Sequence, residues 1–128
     1  MHAHETVLRG AYAAFARGDI PGFLALCTAD ITFRVPGDGL LSGQLSGDAF
    51  LAKLGEAMPA VGGTFREEVL GVTVSDDAGA VLAAQRAERD GKLHTWNAVH
   101  WWRFRDGKLA AFEEFVDDAA AFGRAWHR

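Results

Sequence analysis

The sequence predicts an α+β fold, with helices packed on one face of a curved, mostly antiparallel sheet. Before residue 60 apolar residues recur at helical spacing, interrupted by one short strand, and they do so again in the last ten residues. Between residues 65 and 117 apolar and polar residues alternate instead. The string Arg-Asp-Gly-Lys-Leu occurs at 89–93 and at 105–109, and Asp-Gly is a strong hairpin signal. Helices followed by antiparallel strands are typical of α+β domains.

Stop and cap signals place the helices. The first spans Glu5 to Arg17, because Gly18 ends its apolar stripe. A short second helix begins after Asp19, a residue type that caps helices well, and a third runs from Ser46 or Asp48 to about Met58. A closing helix extends from Asp117 to Trp126, with Asp117 as its cap.

The predicted strands begin with Ile31 to Val35, which Pro36 ends. The glycine-rich stretch from Gly37 to Gly47 is expected to form a loop that gates a cavity at one end of the structure. Four antiparallel strands follow, at 65–74, at 80–88 and as two long strands between Leu93 and Asp117 that are joined at residues 105–107. The acidic residues from Glu67 to Asp77 are expected to form a solvated edge.

The strand that begins at Leu93 carries large apolar side chains on both faces. One face holds His94, Trp96, Ala98, His100, Trp102 and Phe104, and the other holds Thr95, Asn97, Val99, Trp101 and Arg103. Because each face carries tryptophan, each should be covered. The His100 face combines apolar walls with a titratable group, which is the composition of a small-molecule pocket.

Composition excludes several classes of function. A chain of 128 residues is expected to form one domain, 1–128, and its net charge of −4 argues against a nucleic-acid or anionic-membrane partner. No apolar run reaches the length of a membrane span, no signal peptide is evident, and the single Cys27 forms no internal disulfide, so a cytoplasmic protein is expected. We expect no metal and no cofactor, since no histidine–carboxylate spacing suits a metal ion.

Two segments resemble a known family. The segment AYAAFARGDIPGFLALCTADITFRVPG, at 11–37, and the segment FRDGKLAAFEEFVD, at 104–117, resemble SnoaL-like proteins of the nuclear transport factor 2-like superfamily, which includes the ketosteroid isomerases. The resemblance implies a cone-shaped α+β barrel with three N-terminal helices, a curved sheet and a short C-terminal helix. This fold hosts enzymes, binding proteins and transport adaptors alike.

The ketosteroid isomerase residues do not carry over. The tyrosine of those enzymes aligns with Ala11, one residue before Tyr12, and their aspartate base aligns with Val35, before Pro36. Their protonated aspartic acid aligns with His100. Steroid isomerase chemistry is therefore not expected.

The resemblance to SnoaL-type polyketide cyclases implies a different pair, His100 and Glu114, as acid–base groups, although the cyclases carry an aspartate where this chain has Glu114. Only one of Glu113 and Glu114 can share a face with His100. A two-residue turn at Asp106-Gly107 selects Glu113, whereas a three-residue loop at 105–107 selects Glu114. The loop fits the family and is favoured, and it places Glu114 diagonal to His100, with backbones about 7–8 Å apart.

The remaining pocket residues are inferred from the same face. Tyr12 is a candidate donor into the pocket, and the candidate walls are Phe33, Val35, Trp96, Trp102 and Phe112. Three functions fit: a cofactor-independent isomerase, cyclase or lyase acting on a small apolar carbonyl compound, a non-catalytic binder of a small apolar ligand, and a structural domain whose cone is filled by its own side chains.

The outer sheet face predicts a homodimer. Val99 and Trp101 point away from the pocket, and the favoured register adds Leu109, Ala111 and Phe115 beside them. So large an apolar patch is unusual on a monomer, and a second copy of the sheet would cover it with Trp101 near the centre. The alternative is that the closing helix folds over the patch.

Overall fold

The computed structural model describes residues 1–128 and contains four helices and a single sheet. The helices are α1 (Ala3–Ala16), α2 (Ile20–Leu24), α3 (Gly47–Ala60) and α4 (Ala119–Trp126). The strands are β1 (Cys27–Val35), β2 (Gly43–Ser46), β3 (Arg66–Val74), β4 (Ala78–Arg89), β5 (Lys92–Arg105) and β6 (Lys108–Val116). No helix is both long enough and apolar enough to span a lipid bilayer.

The sheet confirms the α+β prediction and the predominance of antiparallel pairing. Its six strands lie in the order β2-β1-β6-β5-β4-β3, and only the β1–β6 pair is parallel. β2 and β3 form free edges, so the curved sheet is not a closed barrel. The strand β2 was not predicted, because its residues lie within the glycine-rich stretch that was expected to be a loop.

The helix caps follow the sequence signals closely, with one exception. Asp19 accepts a hydrogen bond from the Gly22 N–H, and Ser46 accepts one from the Ala49 N–H. The prediction that Asp117 caps the last helix is wrong, because Asp118 is the cap. Asp117 instead accepts from the Asn97 N–H and thereby extends the β5–β6 pairing.

Helix α4 closes one end of the cone. The Trp126 and Phe122 rings lie 6.3 and 5.6 Å from the Trp96 ring, on the inner face of the sheet. The loop before β2 is fastened to this helix, since the Leu40 N–H donates to the Trp126 carbonyl at 2.7 Å. A Cβ on Gly39 would lie 2.4 Å from that carbonyl oxygen, so the loop packs directly on the helix. The loop also lines the inner cavity through Leu41, and the expectation that it gates the cavity mouth stays a prediction.

The outer face of the sheet stays uncovered. Leu82, Val99 and Phe115 lie directly opposite one another on β4, β5 and β6, and their exposed fractions are 43, 39 and 53%. Trp101, two residues from Val99 on the same face, is 39% exposed. Because α4 packs on the inner face, the alternative that it covers this patch is wrong.

Candidate functional site

A β-bulge decides which glutamate faces the interior. The β5–β6 turn contains two residues, Asp106 and Gly107, which both have positive φ, so the predicted three-residue loop is wrong. Phe104 pairs with Leu109, but Arg103 pairs with Ala111, so Ala110 is an extra residue on β6. Every residue of β6 beyond Ala110 is shifted by one position.

The shift brings the predicted pair together. His100 lies directly opposite Glu114, rather than diagonal to it as predicted, and their side chains are only 4 and 8% exposed. The distance between His100 Nε2 and Glu114 Oε2 is 2.7 Å. Leu109, which precedes the bulge, is completely buried in the core, so its predicted position on the outer face is wrong.

The other ring nitrogen of His100, Nδ1, is in contact with Tyr12, which is itself bonded to Trp102. The Tyr12 hydroxyl lies 2.5 Å from His100 Nδ1, and the Trp102 indole N–H donates to that hydroxyl at 3.0 Å. Burial raises the pKa of Tyr12 well above its usual value, so the phenol stays protonated.

These contacts assign the protons of the site. An indole nitrogen only donates, so Tyr12 accepts from Trp102 and directs its own hydrogen to His100 Nδ1. The imidazole hydrogen is then on Nε2, where it is donated to Glu114 Oε2. Glu114 is thus held as an acceptor, and its second oxygen, Oε1, makes no hydrogen bond within the protein.

A second carboxylate joins the site. Trp96 donates its indole N–H to Gln85 Oε1 at 2.7 Å, which turns the Gln85 amino group toward the Glu67 carboxylate. That amino group also lies 3.5 Å from His100 Nε2. Burial raises the pKa of Glu67, although the hydrogen bond from Gln85 opposes the shift.

The prediction that Glu67 belongs to a solvated edge is wrong. Adjacent residues on a strand point to opposite faces, so Glu68 is exposed while Glu67 points inward. The sequence did contain a signal for the inward position of Glu67. Along this strand Phe65, Glu67 and Val69 alternate with Arg66 and Glu68. The prediction treated the segment as one charged run and so overlooked the alternation.

The inner cavity is small and mostly apolar. Its walls include Tyr12, Phe33, Val35, Trp102 and Phe112, as predicted, and its polar lining comprises Glu67, Gln85, His100 and Glu114. Trp96 does not line it, because its ring packs between Phe122 and Trp126, so that predicted wall is wrong. The cavity volume is about 80 Å³, room for several water molecules but below the roughly 150 Å³ of an engineered cavity that holds benzene.

A larger groove lies beside the inner cavity. It lies among α1, α3 and β3, and its volume is about 1100 Å³. The groove and the cavity share the side chains of Tyr12, Phe15, Leu54, Met58, Phe65 and Glu67. The groove and the inner cavity are therefore directly adjacent.

The family follows from the match of this sequence to a family model described as a SnoaL-like domain, which covers residues 8–112. The chain belongs to the SnoaL-like family. It is 32% identical over 123 residues to an uncharacterized protein of Mycobacterium tuberculosis, covering 94% of this chain and 93% of that protein.

One solved structure places the SnoaL-like chain in the nuclear transport factor 2-like superfamily, and a second shares its fold. An NTF2-like protein of unknown function from Burkholderia pseudomallei is 29% identical, with a TM-score of 0.86 and complete coverage of both chains. TerC, co-crystallized with polyporic acid, is 26% identical, with a TM-score of 0.81 and coverage of 97% of this chain and 98% of that one. The predicted family and fold are confirmed.

Proposed function

We propose that this SnoaL-like protein is a small enzyme that uses His100 and Glu114 for acid–base chemistry on a small apolar carbonyl compound, without a cofactor. The observation that carries the proposal is the hydrogen-bonded histidine–glutamate pair, almost completely buried, in a cavity whose other walls are mostly apolar. A buried pair of this kind costs solvation energy, and a binding or catalytic role explains its presence.

Each residue has a distinct role. Glu114 Oε1 is free to remove a proton from a carbon next to the substrate carbonyl, while His100 holds Oε2 and fixes the orientation of the carboxylate. Tyr12 and Trp102 keep His100 in the tautomer that donates to Glu114. The resulting enolate can regain the proton at another carbon, attack a second carbonyl or expel a group, which are isomerase, cyclase and lyase outcomes.

Non-catalytic binding of a small apolar ligand is the second candidate. The size of the inner cavity, about 80 Å³, favours it, because little more than one end of a ligand fits there. The likeness to TerC, which was crystallized with polyporic acid, supports a small-molecule ligand under either proposal.

The two candidates are separated with 5-nitrobenzisoxazole. A base that removes its ring C–H breaks the N–O bond and releases the coloured 2-cyano-4-nitrophenolate, and a carboxylate in a water-poor pocket is well suited to that step. We expect the wild type to accelerate this elimination and Glu114→Gln to lower the rate by roughly 100-fold or more, as is typical for loss of a general base.

Glu113→Gln is the matched control, because Glu113 is the neighbouring residue on the opposite face of β6. It should retain the wild-type rate. Equal rates for Glu113→Gln and Glu114→Gln would contradict the enzyme proposal, and absence of elimination by the wild type would leave the binding function.

We also propose that two copies pair through the outer sheet face around Val99, Trp101 and Phe115. The side chains form an exposed apolar surface, and Glu113, which pairs with Trp101 across β5 and β6, lies 3.8 Å from Arg34 beside it. A second copy of the same face, related by a two-fold axis, would bury this surface.

A further inference from the structure

Glu67 has no role in the chemistry proposed so far, yet it is one of the four non-hydrophobic side chains that line the inner cavity. The other three are in contact: the Gln85 amino group donates to Glu67 and lies 3.5 Å from His100 Nε2, and His100 donates to Glu114. Its Oε2 is held by Gln85, and its Oε1 makes no hydrogen bond within the protein. Glu67 is half-buried, and removing a carboxylate from water costs free energy that its single hydrogen bond from Gln85 offsets only in part.

The position of Glu67 differs from that of Glu114. Glu67 lines both the inner cavity and the groove, whereas Glu114 lines only the inner cavity. A substrate whose reactive carbon reaches Glu114 therefore extends past Glu67 on its way to the groove.

The spacing of the two carboxylates suits one substrate. Three contacts, of 2.5, 3.5 and 2.7 Å, lead from Glu67 through Gln85 and His100 to Glu114, so the bonded carboxylate oxygens lie within about 9 Å of each other. A separation of up to this size lets one substrate contact both carboxylates, since an acid and a base that each approach to about 3 Å of atoms two bonds apart lie no more than about 9 Å from each other.

We propose that Glu67 is a second acid–base group of this site, which donates a proton to a substrate oxygen at the mouth of the cavity while Glu114 removes a proton deeper inside. The proposal rests on the proposed function of Glu114 and adds the substrate class, a carbonyl compound that bears a hydroxyl group on the β carbon. The reaction is the loss of water from that compound.

The step balances within the two carboxyl groups. Glu114 takes the hydrogen of the α carbon, the carbon–carbon double bond forms, and the β carbon–oxygen bond breaks as Glu67 protonates the departing hydroxyl. The products are an unsaturated carbonyl compound and water, with Glu114 protonated and Glu67 ionised. Water in the groove then returns Glu67 to its neutral form and removes the proton from Glu114. Burial favours the neutral form of Glu67, since it raises the pKa of this carboxyl group.

Two probes separate the roles of the two glutamates. The first, 4-hydroxy-4-phenylbutan-2-one, needs a base and an acid to lose water, whereas 5-nitrobenzisoxazole needs only a base because its phenolate leaves without a proton. We expect Glu67→Gln to lower the dehydration rate by roughly 100-fold and to lower the benzisoxazole elimination much less, because only the dehydration needs an acid. Glu68→Gln, on the opposite face of β3, is the matched control and should leave both rates unchanged.

The pH profile supplies a readout that a structural role would not produce. The wild-type dehydration rate should fall as the pH rises above the pKa of Glu67, because the acid must be protonated, and Glu67→Gln should remove that fall. Three results would overturn the proposal: dehydration by Glu67→Gln at the rate of Glu68→Gln, equal loss of both reactions in Glu67→Gln, and a wild type that converts only the benzisoxazole. Failure of Glu114→Gln to slow the benzisoxazole reaction would instead overturn the underlying function.

Discussion

Replacing Trp96 with phenylalanine tests whether the hydrogen bonds around Glu67 are correctly assigned. The indole N–H of Trp96 donates to Gln85 Oε1 at 2.7 Å, and the two residues are 4 and 6% exposed. Phenylalanine keeps a ring against Phe122 and Trp126 but removes the donor. Gln85 Oε1 is then a buried acceptor without a partner.

The expected destabilisation has two parts. An unsatisfied buried acceptor costs about 1–3 kcal/mol of unfolding free energy. The smaller ring leaves a cavity of roughly 40 Å³, which adds about 1 kcal/mol. Trp96→Phe should therefore lower the unfolding free energy by about 2–4 kcal/mol.

Trp102→Phe is the matched control, because Trp102 is 3% exposed and lies on the same strand face. Its acceptor, the Tyr12 hydroxyl, keeps His100 as a partner, so no polar atom is left without one. We expect a loss of about 1–2 kcal/mol for this variant. Urea unfolding followed by far-UV circular dichroism, at one protein concentration, measures both. Equal losses in the two variants, or a smaller loss for Trp96→Phe, would refute the assigned network.

Two further predictions concern other parts of the molecule. Because folding raises the pKa of Glu67, this residue is protonated to a greater extent in the folded than in the unfolded chain between the ordinary and the raised value, so its contribution to stability falls as the pH rises through that range. Glu67→Gln should therefore have a higher unfolding free energy than wild type at pH 8, but not at pH 4, as measured by urea unfolding. A difference between the two proteins that does not change with pH would contradict this prediction. Sedimentation velocity should show a wild-type dimer and a folded, monomeric Trp101→Glu variant, since an introduced charge at the centre of an apolar interface opposes pairing; a monomeric wild type would rule out the dimer.

The fold could be predicted from the sequence because the patterns that indicate its strands and turns lie within short segments. Alternation along residues 93–104 correctly assigned each side chain of β5 to its face, and the Asp-Gly pairs correctly marked both hairpins. The short strand β2 escaped prediction because its pairing with β1 is a tertiary contact that overrides the weak strand propensity of a glycine-rich segment. Similarly, α3 continues through Pro59 to Ala60, two residues beyond the predicted end at about Met58.

The candidate site could be predicted from the sequence only in part. Glu114 was chosen correctly, but by way of a three-residue loop, whereas the shift comes from the bulge at Ala110. Nothing in the local sequence marks this bulge, since Ala110 lacks the glycine that signals the commonest bulges and turns. The resemblance to the cyclases supplied the register that turn chemistry alone did not.

Two strands each carry a pair of adjacent glutamates, and in each pair one glutamate points into the cavity while the other points to the outside. On β6, Glu113 lies beside Arg34 on the outer side, while Glu114 bonds to His100 inside. On β3, Glu68 is exposed, while Glu67 reaches Gln85. A register shift of one residue on either strand would exchange the two members of its pair and place the wrong carboxylate in the cavity. The bulge on β6 is thus part of the candidate site, although Ala110 contributes no chemistry of its own, because it determines that Glu114 rather than Glu113 faces the histidine.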